Sequence, residues 1–272
     1  MSDANAKWGD LLPRVISAIA LLIVGVGAIW LGGFWMVALI AIASGLMVWE
    51  LVRMLGGDDA DKAIPLALIS GGALCAASYS PYPTTLLPLL LAPSFVGYSF
   101  FKSENRPKAA RRLFMIYTAA ILLAGFSMIA LRINFGFNWM AWVLLVVIVT
   151  DVAGYFAGRI IGGPKFWPRV SPKKTWSGTV AGWIGAALVG VAFMGTLGGG
   201  SMLVIVSVLA ALASQLGDIA ESAIKRHVGV KDSSNLIPGH GGLLDRFDGM
   251  LGAALLLSVV GLILPFPIIV FG

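Results

Sequence analysis

Residues 222–248 read SAIKRHVGVKDSSNLIPGHGGLLDRFD. Four cations (Lys225, Arg226, Lys231, Arg246) and three carboxylates (Asp232, Asp245, Asp248) surround a glycine-rich turn containing His240, Gly241 and Gly242. Cationic side chains and glycine-rich backbone N–H groups hold phosphate oxygens. Carboxylates hold Mg²⁺, which takes oxygen ligands and keeps substrate phosphates and water in its shell. The combination suits a metal-bound polyphosphate. Because the stretch lies between two long apolar runs, one reactant is expected to be a lipid.

Two apolar runs carry polar stripes that point the same way. In 201–225, Ser214, Gln215, Asp218, Glu221, Ser222 and Lys225 recur at three- and four-residue spacing, on one helix face. Ionisable groups in a membrane span are costly and face the protein interior or a wet cavity. Glu221 and Lys225 have the spacing of an i,i+4 ion pair, which leaves Asp218, a turn deeper, unexplained. In 139–161, Asp151, Tyr155, Gly158 and Arg159 share a face, and Asp151 has two readings: partner of Arg159, or member of a site. Asp245 and Asp248 open the last run at three-residue spacing. A helix N-terminus favours negative charge, so one of them can serve as a cap. Together with Asp218 they can instead bind divalent cations, and paired cations are a common device for displacement at phosphorus.

A basic loop, GGPKFWPRVSPKKTWSG over 162–178, supplies Lys165, Arg169, Lys173 and Lys174 with the hydroxyls of Ser171, Thr175 and Ser177. It reads either as an ordinary basic loop or as a polyphosphate contact. The GxxxxGK[ST] spacing of a P-loop is absent, as are GxSxG, HExxH and CxxC. His240 reads as a phosphate contact or a loop-forming residue, and His227 as a solvated one. The single Cys75 excludes an internal disulfide.

The elements that must position these groups are membrane helices. The 272 residues are 58% hydrophobic and 12% charged, against about 25% charged in soluble domains. The apolar residues fall in runs approaching the ~20 needed to cross a bilayer. The hydropathy pattern predicts an all-α, polytopic membrane protein of about nine spans: 14–31, 34–55, 64–80, 84–101, 112–131, 139–161, 176–197, 201–225 and 246–270. Pro81, Pro83, Pro88 and Pro93 crowd the start of the fourth, and Pro265 and Pro267 fall near the end of the ninth. Nine spans place every Lys and Arg except Arg132 on one side, which basic loops mark as cytoplasmic. The N-terminus and the polar loops would then face the cytoplasm. No internal repeat is visible. The chain reads as a single membrane domain over 1–272, with 1–135 a helical scaffold and 136–272 the catalytic part. Nothing in the pattern points to nucleic acid.

The 222–248 stretch closely resembles the signature of the phosphatidate cytidylyltransferases, the CDP-diacylglycerol synthases. Ser222, Lys225-Arg226, Lys231-Asp232, Pro238, His240-Gly241-Gly242, Asp245-Arg246 and Asp248 stand at that family's spacing. Upstream, Ser171-Pro172-Lys173-Lys174-Thr175-Trp176, Gly217-Asp218 with Glu221-Ser222, and Asp151 with Tyr155, Gly158 and Arg159 extend the match. The resemblance implies an inner-membrane enzyme that joins CTP and phosphatidate into CDP-diacylglycerol and pyrophosphate, with Mg²⁺, a possible second cation, and a homodimer. It implies Asp218 and Asp245 as metal ligands with Asp248 in support. It also implies Lys173, Lys225, Arg226 and Arg246 as phosphate binders, beside Lys174, Ser171, Lys231, His240, Gly241, Gly242 and Asp151 at the substrates. Two departures stand out: Ser177 where the family usually has Glu, and Val152 where it has Thr. Two rival functions are a CTP-dependent polyprenol or phytol kinase, which would release CDP, and an ion-coupled transporter using Asp151 and Asp218. Crowding of the polar chemistry into one half disfavours the transporter, since alternating access draws on paired elements in both halves.

Overall fold

Within the described residues, each apolar run expected to span a membrane corresponds to one helix. A computed structural model describes residues 11–56, 61–100, 108–168 and 170–263. Within them nine α-helices follow one another: α1 (Leu11–Leu31), α2 (Gly33–Gly56), α3 (Ala63–Tyr79), α4 (Leu86–Phe100), α5 (Lys108–Phe135), α6 (Phe137–Ile160), α7 (Trp176–Met194), α8 (Gly200–His227) and α9 (Leu244–Ile263). Arg169, Pro265 and Pro267 lie outside the described residues. Five helices, α2, α5, α6, α7 and α8, are long and apolar enough to cross a membrane, while α3 and the Val15–Leu31 stretch of α1 are shorter apolar helices. The chain is a helical membrane protein. Its apolar residues face outward as well as inward: Leu22, Ile23, Ile184 and Leu188 are all exposed, which suits a hydrocarbon solvent.

The prolines shift one boundary. Pro83–Thr85 forms a separate 3₁₀ turn, and α4 starts only at Leu86, with Pro93 inside it. The missing N–H of proline is tolerated in the first turn of a helix and disrupts later turns. Elsewhere reversals are abrupt. Gly32, at φ 66°, separates α1 from α2, and Gly136, at φ 86°, separates α5 from α6; that left-handed region is the one glycine enters without steric penalty. The solitary Arg132 has a structural task at this end. Its Nε donates to Ile29 O at 2.7 Å and its Nη2 to Trp30 O at 3.1 Å, satisfying carbonyls that the end of α1 leaves open.

The described residues are overwhelmingly helical, as the all-α reading expects, with one short exception. The basic loop after α6 folds as a hairpin of β1 (Lys165–Trp167) and β2 (Ser171–Thr175). The strands are antiparallel, with Lys165 opposite Thr175 and Trp167 opposite Ser171. Pairing satisfies backbone groups that a disordered loop would leave to solvent. The hairpin is fastened to the next helix: Thr175 Oγ1 accepts from Gly178 N at 3.2 Å as the N-cap of α7, and Phe166 meets Trp176 edge-on at 4.8 Å. Ser177, the departure from the family's Glu, donates through Oγ to Gly162 O and lies 3.0 Å from Thr175 Oγ1. It ties the hairpin to the end of α6. Val152 is exposed, and nothing in the structure explains its presence.

The core runs along α2, α5, α6, α8 and α9, where Leu51, Ile121, Trp142, Val143, Ala210 and Ala254 are fully buried. Trp142 Nε1 donates to Ser207 Oγ at 2.9 Å, so its one polar atom is paired inside the core. Close approach positions the functional helices. A Cβ on Gly217 would lie 2.3 Å from Asp248 O, and one on Gly252 would lie 2.1 Å from Ala213 O. Only bare backbone lets α8 and α9 meet so tightly. That contact sets Asp218 beside the first turns of α9.

Candidate active site

Two cavities flank the polar loops. The first encloses about 490 Å³ and is lined by Asp151, Tyr155 and Arg159 from α6, Lys173 and Lys174 from β2, and Gln215 and Asp218 from α8. Its volume is that of a small-molecule site. The polar faces read from helical spacing on α6 and α8 therefore converge, and the hairpin brings two lysines between them. Lys174 Nζ lies 2.5 Å from Asp218 Oδ2, and Ser222 Oγ donates to Asp218 Oδ1 at 3.2 Å. Gln215 is fixed by Trp183 Nε1, which donates to its Oε1 at 3.0 Å, and by its own bond to Thr179 O. Among the described residues no ion pair joins Asp151 to Arg159. Arg159 donates to the Tyr155 hydroxyl at 2.8 Å instead, and Asp151 is left exposed, within electrostatic reach of Lys174 and Asp218.

A second cluster is closed. Lys225 Nζ lies 2.5 Å from Glu221 Oε2 and 2.6 Å from Asp245 Oδ1, with only 9% of the residue exposed. The i,i+4 pair read from the sequence is present, and a third charge completes it. Asp245 also accepts from Ser233 N at 2.9 Å, Ser233 Oγ at 3.0 Å and Gly242 N at 2.8 Å. Its carboxylate is the knot of the 228–243 loop. Glu50 on α2 is the second knot. It is fully buried and accepts from Ser234 Oγ at 2.6 Å, Ser233 Oγ at 3.3 Å, Leu243 N at 2.8 Å and Leu244 N at 2.6 Å. Leu243 and Leu244 begin α9, so the capping role that the sequence offered to Asp245 or Asp248 falls to a carboxylate from another helix. Asp248 Oδ1 accepts from the adjacent Gly249 N, at 2.7 Å.

The second cavity, about 450 Å³, is lined by Lys231, Asp232, Pro238, His240, Gly241 and Arg246. Arg246 donates through Nε to His240 O at 2.9 Å and also through Nη2. Ser17 on α1 meets His240 Nδ1 at 2.9 Å. Most of the predicted residues fall into three groups. Asp151, Lys173, Lys174 and Asp218 line the first cavity, and Lys231, His240, Gly241 and Arg246 line the second. Lys225, Asp245 and Gly242 form the closed knot between loop and helix. Arg226 is exposed at the end of α8 and donates to Val230 O at 3.2 Å, and Ser171 is half-buried on β2. Neither lines a cavity. Glu50 is the residue that sequence reasoning missed, although a lone carboxylate in an apolar run was the available signal.

The expected three-carboxylate cage is not assembled: among the described residues no three His, Cys, Asp or Glu side chains converge to hold a metal ion. The geometric reason is that Asp245 turns its oxygens to Lys225, Ser233 and Gly242. Mg²⁺ asks less of a protein, since one or two carboxylates suffice when substrate phosphates and water complete the shell. Asp218 fits that demand. Its side chain is 34% exposed, against 8% for Asp245, and Asp248 and Asp151 lie within electrostatic reach. Lys174 and Lys225 hold their positive charges against Asp218 and Asp245.

The model of the cytidylyltransferase family matches residues 12–264. The phosphatidate cytidylyltransferase of Staphylococcus haemolyticus (strain JCSC1435) is 30% identical over 258 residues, 91% of this chain and 97% of that protein. The phosphatidate cytidylyltransferase of Brucella suis biovar 1 (strain 1330) is 45% identical over 156 residues, 55% of this chain. That match spans 58% of the Brucella protein's length.

Proposed function

The chain belongs to the cytidylyltransferase family, and from that premise we propose that it transfers the cytidylyl group of CTP to phosphatidate. The products are CDP-diacylglycerol and pyrophosphate. One observation carries the reading: an open cavity in which Asp218, Lys173 and Lys174 meet Asp151 and Arg159 at the end of two apolar helices. Such a site holds polyphosphate while the lipid tails stay in the bilayer.

The reaction is an in-line displacement. A phosphatidate oxygen forms a bond to the α-phosphorus of CTP, and the bond from that phosphorus to the β-phosphate bridging oxygen breaks. A phosphate monoester is already ionised near neutral pH, so no general base is required. The obstacle is bringing two anions together, and positioning with electrostatic neutralisation supplies most of the catalysis. Lys173, Lys174 and Arg159 present positive charge to one side of the reacting groups. Lys231 and Arg246, with the backbone around His240 and Gly241, present it from the second cavity. Asp218, with Asp248 behind it, would hold Mg²⁺, and Asp245 would add a ligand only in exchange for its contact with Lys225. The bound cation supplies charge neutralisation at the transferring phosphoryl oxygens.

The same reading includes nine membrane crossings with a cytoplasmic N-terminus in the inner membrane, an active site facing the cytoplasm, and a homodimer. Residues 136–272 carry the chemistry and 1–135 the scaffold. Purified protein incubated with labelled CTP, phosphatidate and Mg²⁺ tests the function. CDP-diacylglycerol and pyrophosphate support it. A phosphorylated lipid alcohol with release of CDP would establish the lipid-kinase alternative in its place.

A further inference from the structure

Glu50 is a fully buried carboxylate on a helix assigned to the scaffold, and the reaction itself gives it no task. Its two oxygens nevertheless gather four donors that all belong to the catalytic half, more than 180 positions away in sequence. Two are backbone N–H groups at the start of α9, which a helix otherwise leaves unsatisfied. The other two are the hydroxyls of Ser233 and Ser234, at the far end of the same loop. One carboxylate therefore clamps both ends of the segment that carries the glycine turn and the second cavity. Ser233 Oγ stands 3.3 Å from Glu50 and 3.0 Å from Asp245. Its single proton serves one of them at a time, so the two carboxylates share a donor. Packing leaves no slack: a Cβ on Gly242 would lie 1.8 Å from Ser233 Oγ and 2.6 Å from Glu50 Oε1.

We infer that Glu50 is a positioning residue of the active site, which holds the 233–244 loop so that Asp245 keeps the geometry needed for cation and phosphate binding. The inference rests on the cytidylyl-transfer reading for its activity readout, but the loop clamp itself is independent of that reading. Glu50 acts through Ser233 and the start of α9 and touches no reactant. Its two acceptor oxygens suit all four donors. A neutral amide does not, because in either orientation its NH₂ would face a backbone N–H, that of Leu243 or of Leu244, which cannot accept.

The test is Glu50→Gln in detergent-solubilised full-length protein, with Ser234→Ala as a milder second variant that removes one donor and leaves the carboxylate. Hydrogen exchange at Leu243 and Leu244 reads the clamp directly. Exchange at these amides should accelerate in both variants while amides in the middle of α6 keep wild-type protection. The Mg²⁺ concentration for half-maximal cytidylyl transfer should rise about 10–100-fold in Glu50→Gln, as for other partners that orient a metal ligand, with the KM for phosphatidate unchanged. Wild-type exchange rates at Leu243 and Leu244 in both variants overturn the inference. So does a loss of Glu50→Gln activity that excess Mg²⁺ does not move and that parallels general unfolding. If Glu50→Gln does not yield folded protein, Ser234→Ala decides, and unchanged exchange with unchanged Mg²⁺ demand refutes the inference. A wild-type protein with no cytidylyl transfer but a clamp-dependent exchange pattern would instead count against the proposed reaction.

Discussion

Replacing Lys225 with Met separates a structural cation from a substrate-binding one. The sequence resemblance implies that Lys225 contacts phosphate, and on that view its loss chiefly weakens substrate handling. The structure buries its ammonium between Glu221 and Asp245, at 2.5 and 2.6 Å, and lines neither cavity with it. Removing one partner of a buried ion pair costs about 3–5 kcal/mol, because the remaining charge is left uncompensated. The two carboxylates do not suffer equally. Asp245 keeps Ser233 and Gly242 as donors. Among the described residues, no group other than Lys225 donates to Glu221. Most of the penalty should therefore sit on Glu221, and Glu221→Gln should recover roughly half of it or more when added to Lys225→Met, a coupling of ~2 kcal/mol. Thermal unfolding of the single and double variants in detergent gives the cycle, and steady-state kinetics of the folded fraction gives the rest. A Lys225→Met protein with the parent's melting temperature and a raised KM for CTP would refute the burial argument and restore the phosphate-binding role.

Other expectations follow from the same geometry. Asp218→Ala should remove most of the activity and leave the melting temperature within a few degrees, since the side chain is partly exposed and its loss releases Lys174 to solvent; near-normal turnover would exclude it as the cation ligand. Lys174→Met should lower activity more than stability, measured as turnover against melting temperature, because the pair it breaks opens onto the cavity rather than lying in the core. Gly217→Val should separate α8 from α9, at a cost of about 1–3 kcal/mol or more, with a drop in both melting temperature and activity, since its Cβ would meet the backbone of Asp248.

The helices were legible because a membrane span is written in hydropathy alone. The start of α7 matches its expected residue, and the start of α4 moves two residues to let the 3₁₀ turn absorb Pro83. The polar faces of α6 and α8 were legible from spacing, because side chains three and four apart on a helix share a face. What the sequence hid are contacts between distant segments. The hairpin is too short for alternation to register: three residues in β1 and five in β2. Asp245 and Asp218 carry the same side chain, yet one is turned inward by the loop and the other outward by the hairpin. No local pattern distinguishes them. Glu50 shows the limit most plainly. Its neighbours in sequence are apolar, and all four of its donors come from a segment whose fold had first to be known.

In the proposed reaction the polyphosphate is cleaved between the α- and β-phosphates at the cavity built around Asp218. The most direct measurement follows the label from CTP carrying it at either the α- or the γ-phosphorus, with phosphatidate and Mg²⁺, in wild-type and Asp218→Ala protein. Cytidylyl transfer puts α-label in the lipid and γ-label in pyrophosphate, and both are lost in Asp218→Ala. Label from the γ-position in the lipid, or undiminished transfer by Asp218→Ala, would contradict it.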